Sequence, residues 1–100
     1  MALSLLLDDV RAWVQYGAYP LHEIAVRFHH RLVQIHPFPK GNGRHARLMA
    51  ELLAMKLGGA RLPWGRASLR EAGPMRRQYI DALEEADRHD LGALLAFARS

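Results

Sequence analysis

LHEIAVRFHHRLVQI, residues 21–35, places apolar side chains at Leu21, Ile24, Ala25, Phe28, Leu32 and Ile35. Spacing of i, i+3, i+4, i+7 lays one apolar stripe along an α-helix, so the segment predicts a helix over Leu21–Ile35 packed against a core. The same periodicity continues in both directions. Upstream, Ser4 caps a first helix that runs to about Tyr16, with Val10, Trp13 and Val14 inward, and Gly17 followed by Pro20 stops it. Downstream, Gly43 to about Leu57 reads as a third helix with Ala46, Met49, Ala50, Leu53 and Leu57 on one side, ended by Gly58-Gly59. Pro63 to Gly65 form a turn region. A fourth helix starts near Pro74, a residue preorganised for the first helical position, and carries Met75, Tyr79, Ala82, Leu83 and Ala86. Asp90 caps a short fifth helix bearing Leu94, Leu95 and Phe97. No apolar and polar alternation of strand length occurs, so the expected fold is all-α, with about five helices joined by short loops.

Composition narrows the class further. One hundred residues make a single domain, residues 1–100, and a chain that is 50% hydrophobic and 24% charged is not disordered. Its apolar runs fall short of the roughly 18–20 residues that span a bilayer. Absence of cysteine removes disulfides, thiolate metal sites and a cysteine nucleophile together. The apolar run within Met1–Leu7 has neither a basic n-region nor an A-x-A-like cleavage site, so it is not read as a signal peptide, and a cytoplasmic location is the default. No fixed-period repeat or low-complexity segment is present. The net charge of +4 favours anionic partners, and it is concentrated: residues 21–60 hold six basic and two acidic side chains, whereas residues 1–20 are net −1 and residues 61–100 net +1.

Between the second and third predicted helices lies His36-Pro37-Phe38-Pro39-Lys40-Gly41-Asn42-Gly43-Arg44-His45-Ala46-Arg47. Two prolines fix φ and forbid helix there. Gly41 and Gly43 bracket Asn42 at the start of the following helix, a composition that lets backbone N–H groups converge on an anion with the helix dipole behind them. Glycines in this setting are also ordinary turn residues; the paired arginines weigh toward an anion site. Arg44 and Arg47, three residues apart, project from nearly one face of the first turn and reach further oxygens of the same polyphosphate. His36 adds an imidazole able to accept a proton near neutral pH. Phe38 is read as a loop anchor that pins the segment to the helices beneath it.

This run resembles the signature of the Fic (Fido) family, H-x-F-x-[D/E]-G-N-G-R-x-x-R. His36, Phe38, Gly41, Asn42, Gly43, Arg44 and Arg47 match, seven of its eight fixed positions. The similarity extends through Trp13, the Leu-Val-Gln-Ile before His36, and the Trp64-Gly65-Arg66-Ala67-Ser68 and Arg76-Arg77-Gln78-Tyr79-Ile80 segments, and it looks most like the branch called mobile mystery protein B. The resemblance implies a protein adenylyltransferase that moves AMP from ATP to a Ser, Thr or Tyr hydroxyl of a target protein. It implies that His36 is the general base, that Gly41, Asn42 and Gly43 form the anion hole for the α- and β-phosphates, and that Arg44 and Arg47 hold the departing pyrophosphate. ATP enters as substrate.

Two departures qualify the resemblance. Lys40 stands where the family has Asp or Glu, the ligand for a phosphate-bridging Mg²⁺. A charged lysine binds no divalent cation, although its ammonium can neutralise a phosphate oxygen, so Lys40 is grouped with the phosphate-binding residues, no metal ligand is assigned and Mg²⁺ dependence is in question. The family's β-hairpin flap, which clamps the target segment, lies N-terminal to the helix matching Ser4–Tyr16; the sequence begins at that helix, so it is read either as the C-terminal part of a longer protein or as a form lacking the flap. An inhibitory [S/T]-x-x-x-E-[G/N] match is also missing, because Ala72 replaces the glutamate in Ser68–Gly73.

Other side chains carry less. His29 and His30 point about 100° apart on a helix, so a joint metal site with His36 is disfavoured. His45 faces away from the arginines, Trp13 and Trp64 read as packing residues, with Trp64 a lesser candidate for the nucleotide pocket's edge, and Glu84, Glu85 and Asp87 read as a solvated helix face. Two rival functions remain: a catalytically degenerate Fic module acting in binding or in a toxin–antitoxin pair, and a helix-turn-helix-like DNA binder. The second is the weaker, since the connection from His36 to Asn42 exceeds the about 3–4 residues of that turn and contains prolines unlike it.

Overall fold

The computed structural model describes residues 2–35, 42–59, 61–64 and 73–100. Five helices appear in chain order: α1 (Ala2–Tyr16), α2 (Leu21–Ile35), α3 (Asn42–Lys56), α4 (Pro74–Asp87) and α5 (Gly92–Arg99), and the described residues contain no strand. The all-α expectation holds. They form two compact units, Met1–Arg61 with α1 to α3 and Leu62–Ser100 with α4 and α5.

In the first unit α2 packs against both α1 and α3. Ile24, Ala25, Phe28 and Leu32 are buried as the period required, and Val26 and His29 join them, because a helix covered on two sides buries more than one stripe. α1 buries Leu6 and Val10, whereas Val14, expected inward, is 44% exposed. α1 leans on α2 by a narrow seam through Leu6, Val10 and the half-buried Trp13, and Val14 falls beside it. Across this seam Trp13 meets Tyr19 edge-on at 5.7 Å, the Arg27 guanidinium lies 4.0 Å over the Tyr19 ring, and Arg31 pairs with Asp9.

α3 meets α2 through a ridge of alanines, Ala46, Ala50 and Ala54, each without exposed surface. Small side chains at i, i+4, i+8 let the two helix backbones approach closely and leave longer neighbours at the edge. That is why Met49, expected on the buried side, is 39% exposed while Leu53 and Leu57 are half-buried.

Helix ends follow the sequence with three corrections. α1 begins at Ala2, so Ser4 lies inside the first turn and is not the N-cap. The N-cap of α5 is Leu91; Asp90, one residue earlier, accepts the Gly92 N–H at 3.1 Å through Oδ1. α3 starts at Asn42, one residue before the expected Gly43. At the other ends, Gly17 (φ 61°) and Gly58 (φ 90°) adopt the left-handed conformation that closes a helix. In α1 the Ala18 N–H reaches the Trp13 carbonyl at 3.0 Å, and in α3 the Gly59 N–H reaches that of Ala54 at 2.9 Å, the six-to-one bond of a Schellman closure. Pro74 opens α4 as expected, with Gly73 accepting the Arg77 N–H at 3.0 Å.

In the second unit Tyr79, Ala82 and Ala86 of α4 are buried, as are Leu94, Phe97 and Ala98 of α5. The Tyr79 and Phe97 rings lie 5.7 Å apart, tilted by 39°. Leu62 and Trp64 are buried too, which makes Trp64 a packing residue.

Candidate functional site

α2 ends at Ile35, one residue before His36, and α3 begins at Asn42, so the two helices hold the two ends of the motif. His36, Phe38, Lys40 and Gly41 lie outside the described residues, and with them the proposed base and loop anchor. Asn42 and Gly43 form the start of α3. Arg44 is exposed and Arg47 half-buried, one turn apart on that helix, while His45 between them is exposed.

The electrostatics of this end of α3 are one-sided. Its first turn contains no acidic residue and carries Arg44, so the positive end of the helix dipole is reinforced by a cation where most helices place a carboxylate. The first carboxylate along α3 is Glu51, which bonds the Arg61 guanidinium at 2.5 Å. A polyanion arriving at this end would meet backbone N–H groups and guanidinium donors together. The concentration of positive charge read in residues 21–60 is thus directed, in part, to one helix terminus.

Behind that turn lies a residue whose spacing argues only against a joint metal site with His30 and His36. His29, in the middle of α2, has no exposed surface and lies by the backbone of Ala46, between Arg44 and Arg47. Burial pushes its pKa down from 6.5 to about 3; the Ala46 backbone favours the protonated ring, but the nearby charges of Arg47 and His30 oppose it. The ring is therefore neutral at physiological pH. Its position was legible after all: Ala25, His29 and Leu32 follow the i, i+4, i+7 rule, so His29 shares the phase of the buried stripe. His30 is half-buried on a different face, in keeping with the 100° argument.

No three His, Asp or Glu side chains cluster for a divalent cation among the described residues, and the motif offers an ammonium, Lys40, at the position a carboxylate would occupy. Glu84, Glu85 and Asp87 are exposed on α4, as read. The groove between α4 and α5, lined by Arg77, Gln78, Asp81, Glu85 and Phe97 among others, contains no motif residue. Among the described residues no helix is long and apolar enough to cross a membrane.

Comparison with known proteins adds to this geometry. Over 59 residues, 56% of this chain, the sequence is 39% identical to a protein adenylyltransferase Fic of Aedes aegypti, 37% identical to one of Culex quinquefasciatus and 39% identical to one of Drosophila melanogaster. The match takes in 12% of each relative's own length. No solved structure matches the chain. The sequence profile of the Fic/DOC family matches residues 2–54, the three helices of the first unit up to two residues before the end of α3. With the signature set between α2 and α3 and a family match that covers both, the chain belongs to the Fic/DOC family.

Proposed function

We propose that the chain acts in a Fic-type nucleotidyltransferase that transfers AMP from ATP to a hydroxyl side chain of a target protein. The observation that carries this reading is the motif itself, whose His36 follows α2 directly and whose Asn42, Gly43, Arg44 and Arg47 open an α3 with no acidic residue in its first turn. The adenylyltransferase names of the relatives support the same reaction.

In this reading His36 takes the proton from the target hydroxyl, whose oxygen forms a bond to the α-phosphorus of ATP. The bond from that phosphorus to the bridging oxygen breaks and pyrophosphate leaves. Gly41, Asn42 and Gly43 supply N–H donors to the α- and β-phosphates, and Arg44 and Arg47 stabilise the charge that builds on the leaving group. Lys40 neutralises a phosphate oxygen directly, and no step is assigned to Mg²⁺.

Lys40 also favours a second reading, a degenerate Fic module that keeps the scaffold and binds a partner, such as the other half of a toxin–antitoxin pair. Incubation with ATP labelled at the α-phosphate and candidate proteins, with and without Mg²⁺, separates the two. Transfer of label to a protein, reduced by about 10²–10⁴-fold in His36→Ala, supports the enzyme. No label in either condition, with Lys40→Asp restoring it, supports the degenerate module. Salt-dependent DNA binding that disappears on neutralising Arg44 and Arg47 would overturn both.

A further inference from the structure

α3 is apolar on two opposite faces, and α2 covers one of them. Ala46, Ala50 and Ala54 form the ridge that meets α2, each without exposed surface. At about 100° per residue, Leu48 and Leu52 each lie about 160° from Ala50, on the far side of the helix. Leu48 is 54% exposed, Leu52 55% and Met55 48%, with Met49 beside them at 39%. Spacings of three and four residues make these side chains neighbours on one surface. Single exposed leucines need no explanation, but a continuous stripe of leucine and methionine is the kind of surface that another molecule covers.

Charge decides which molecule suits it. Arg44, Leu48, Leu52 and Lys56 follow one another at four-residue steps, so the stripe ends at both extremes on an exposed cation. The carboxylate of α3, Glu51, is half-buried and bonded to Arg61. A second copy of the chain laid on this face would bring like charges together: in antiparallel register Arg44 meets Lys56 of the other copy, and in parallel register each meets its own counterpart. An anionic bilayer is engaged by clusters of about four to eight basic residues, and two fall short of that. A protein segment with apolar anchors set between carboxylates matches both the stripe and its ends.

We propose that the outward face of α3 docks a second protein through an apolar helical segment flanked by acidic residues. The stripe begins at Arg44, inside the motif, so a protein held there lies beside the proposed phosphate site. That such a protein is also the acceptor of AMP rests on the function proposed above; the docking itself does not.

The probe is a synthetic helix of about four turns, with leucine at i, i+3, i+4 and i+7, glutamate at both ends of the leucine stripe, and alanine and glutamine elsewhere. It is titrated into the full chain by fluorescence anisotropy, without nucleotide. The wild type is expected to bind it at least about tenfold more tightly than the same peptide with lysine in place of glutamate, and more weakly as salt rises. Leu48→Ser combined with Leu52→Ser, and separately Lys56→Glu, should each weaken binding about tenfold, while Leu5→Ser on α1, also exposed, leaves it unchanged. Should the double variant not fold, Lys56→Glu decides, since it removes no apolar group. Equal binding of the two peptides, or binding that survives the α3 changes, overturns the proposal. So does a wild-type dimer that Leu52→Ser dissociates in sedimentation, or adsorption to phosphatidylserine vesicles that Leu52→Ser abolishes, since a second copy or a membrane would then cover the stripe. A chain that binds the acidic peptide but transfers no AMP counts against the proposed function alone.

Discussion

Arg31 on α2 and Asp9 on α1, separated by 22 residues in the chain, form an ion pair across the α1–α2 seam. Both side chains are partly open to solvent, which screens the pair and limits its worth. A double-mutant cycle with Asp9→Asn and Arg31→Gln, read by urea denaturation, is expected to give a coupling of about 0.5–1 kcal/mol that shrinks in high salt. A coupling of several kcal/mol, independent of salt, would mean that the pair is effectively buried.

The buried imidazole makes stability depend on pH in a definite direction. In the unfolded chain His29 titrates near 6.5, but in the folded protein only near about 3, so the unfolded state takes up the proton first as pH falls. The stability associated with the neutral ring is complete above pH about 6.5 and is lost progressively between about 6.5 and 3, at about 1.4 kcal/mol for each pH unit. Between pH 7 and pH 5 the wild type should therefore lose about 2 kcal/mol more than His29→Gln, measured by denaturant titration at both values. Equal losses would show that the ring ionises freely in place.

Two residues past the end of α4, His89 at φ 69° closes the helix, with the Asp90 N–H bonded to the Glu85 carbonyl at 3.0 Å. The closure matches those at Gly17 and Gly58, but here a residue with a Cβ occupies the left-handed position. His89→Gly is expected to raise stability by about 0.5–1 kcal/mol, visible as a higher melting temperature. A lower melting temperature would show that the exposed imidazole contributes more than its backbone strain costs.

Lys40→Asp should change how transfer responds to metal. A carboxylate supplies the hard oxygen donor that Mg²⁺ prefers, whereas the native ammonium repels it. Label transfer by Lys40→Asp is expected to be stimulated at least tenfold by Mg²⁺, with the wild type responding much less. Equal stimulation of both proteins would place the metal's ligands elsewhere.

How far the sequence revealed the fold follows from which physical signals are local. The apolar period located all five helices, and Gly17, Gly58 and Pro74 marked boundaries because each dictates its own backbone geometry. Ser4 misled for the converse reason: a hydroxyl near a helix start can cap or lie inside the first turn, and only the path of the preceding residue decides. Val14 and Met49 were placed inward because one helix's period cannot tell how wide a stripe its neighbour covers. For the site, the motif carries residue types and order, which put Arg44 and Arg47 one turn apart on α3. His29 shares the phase of the buried stripe, yet its complete burial depends on α3 packing against α2, which no local spacing encodes.

Lying between its two neighbours, α2 has few positions free to vary. Ile24, Ala25, Val26, Phe28, His29 and Leu32 are buried, Arg27 and Arg31 are engaged with Tyr19, Glu23 and Asp9, and its last residue adjoins His36. In a library of random substitutions selected for folded protein, residues 24–32 should therefore accept the fewest replacements. Leu3, Leu5 and Leu7, exposed along α1, should drift among polar residues at little cost. The helix that carries none of the motif residues would then be the part of the first unit with the narrowest range of permitted sequences.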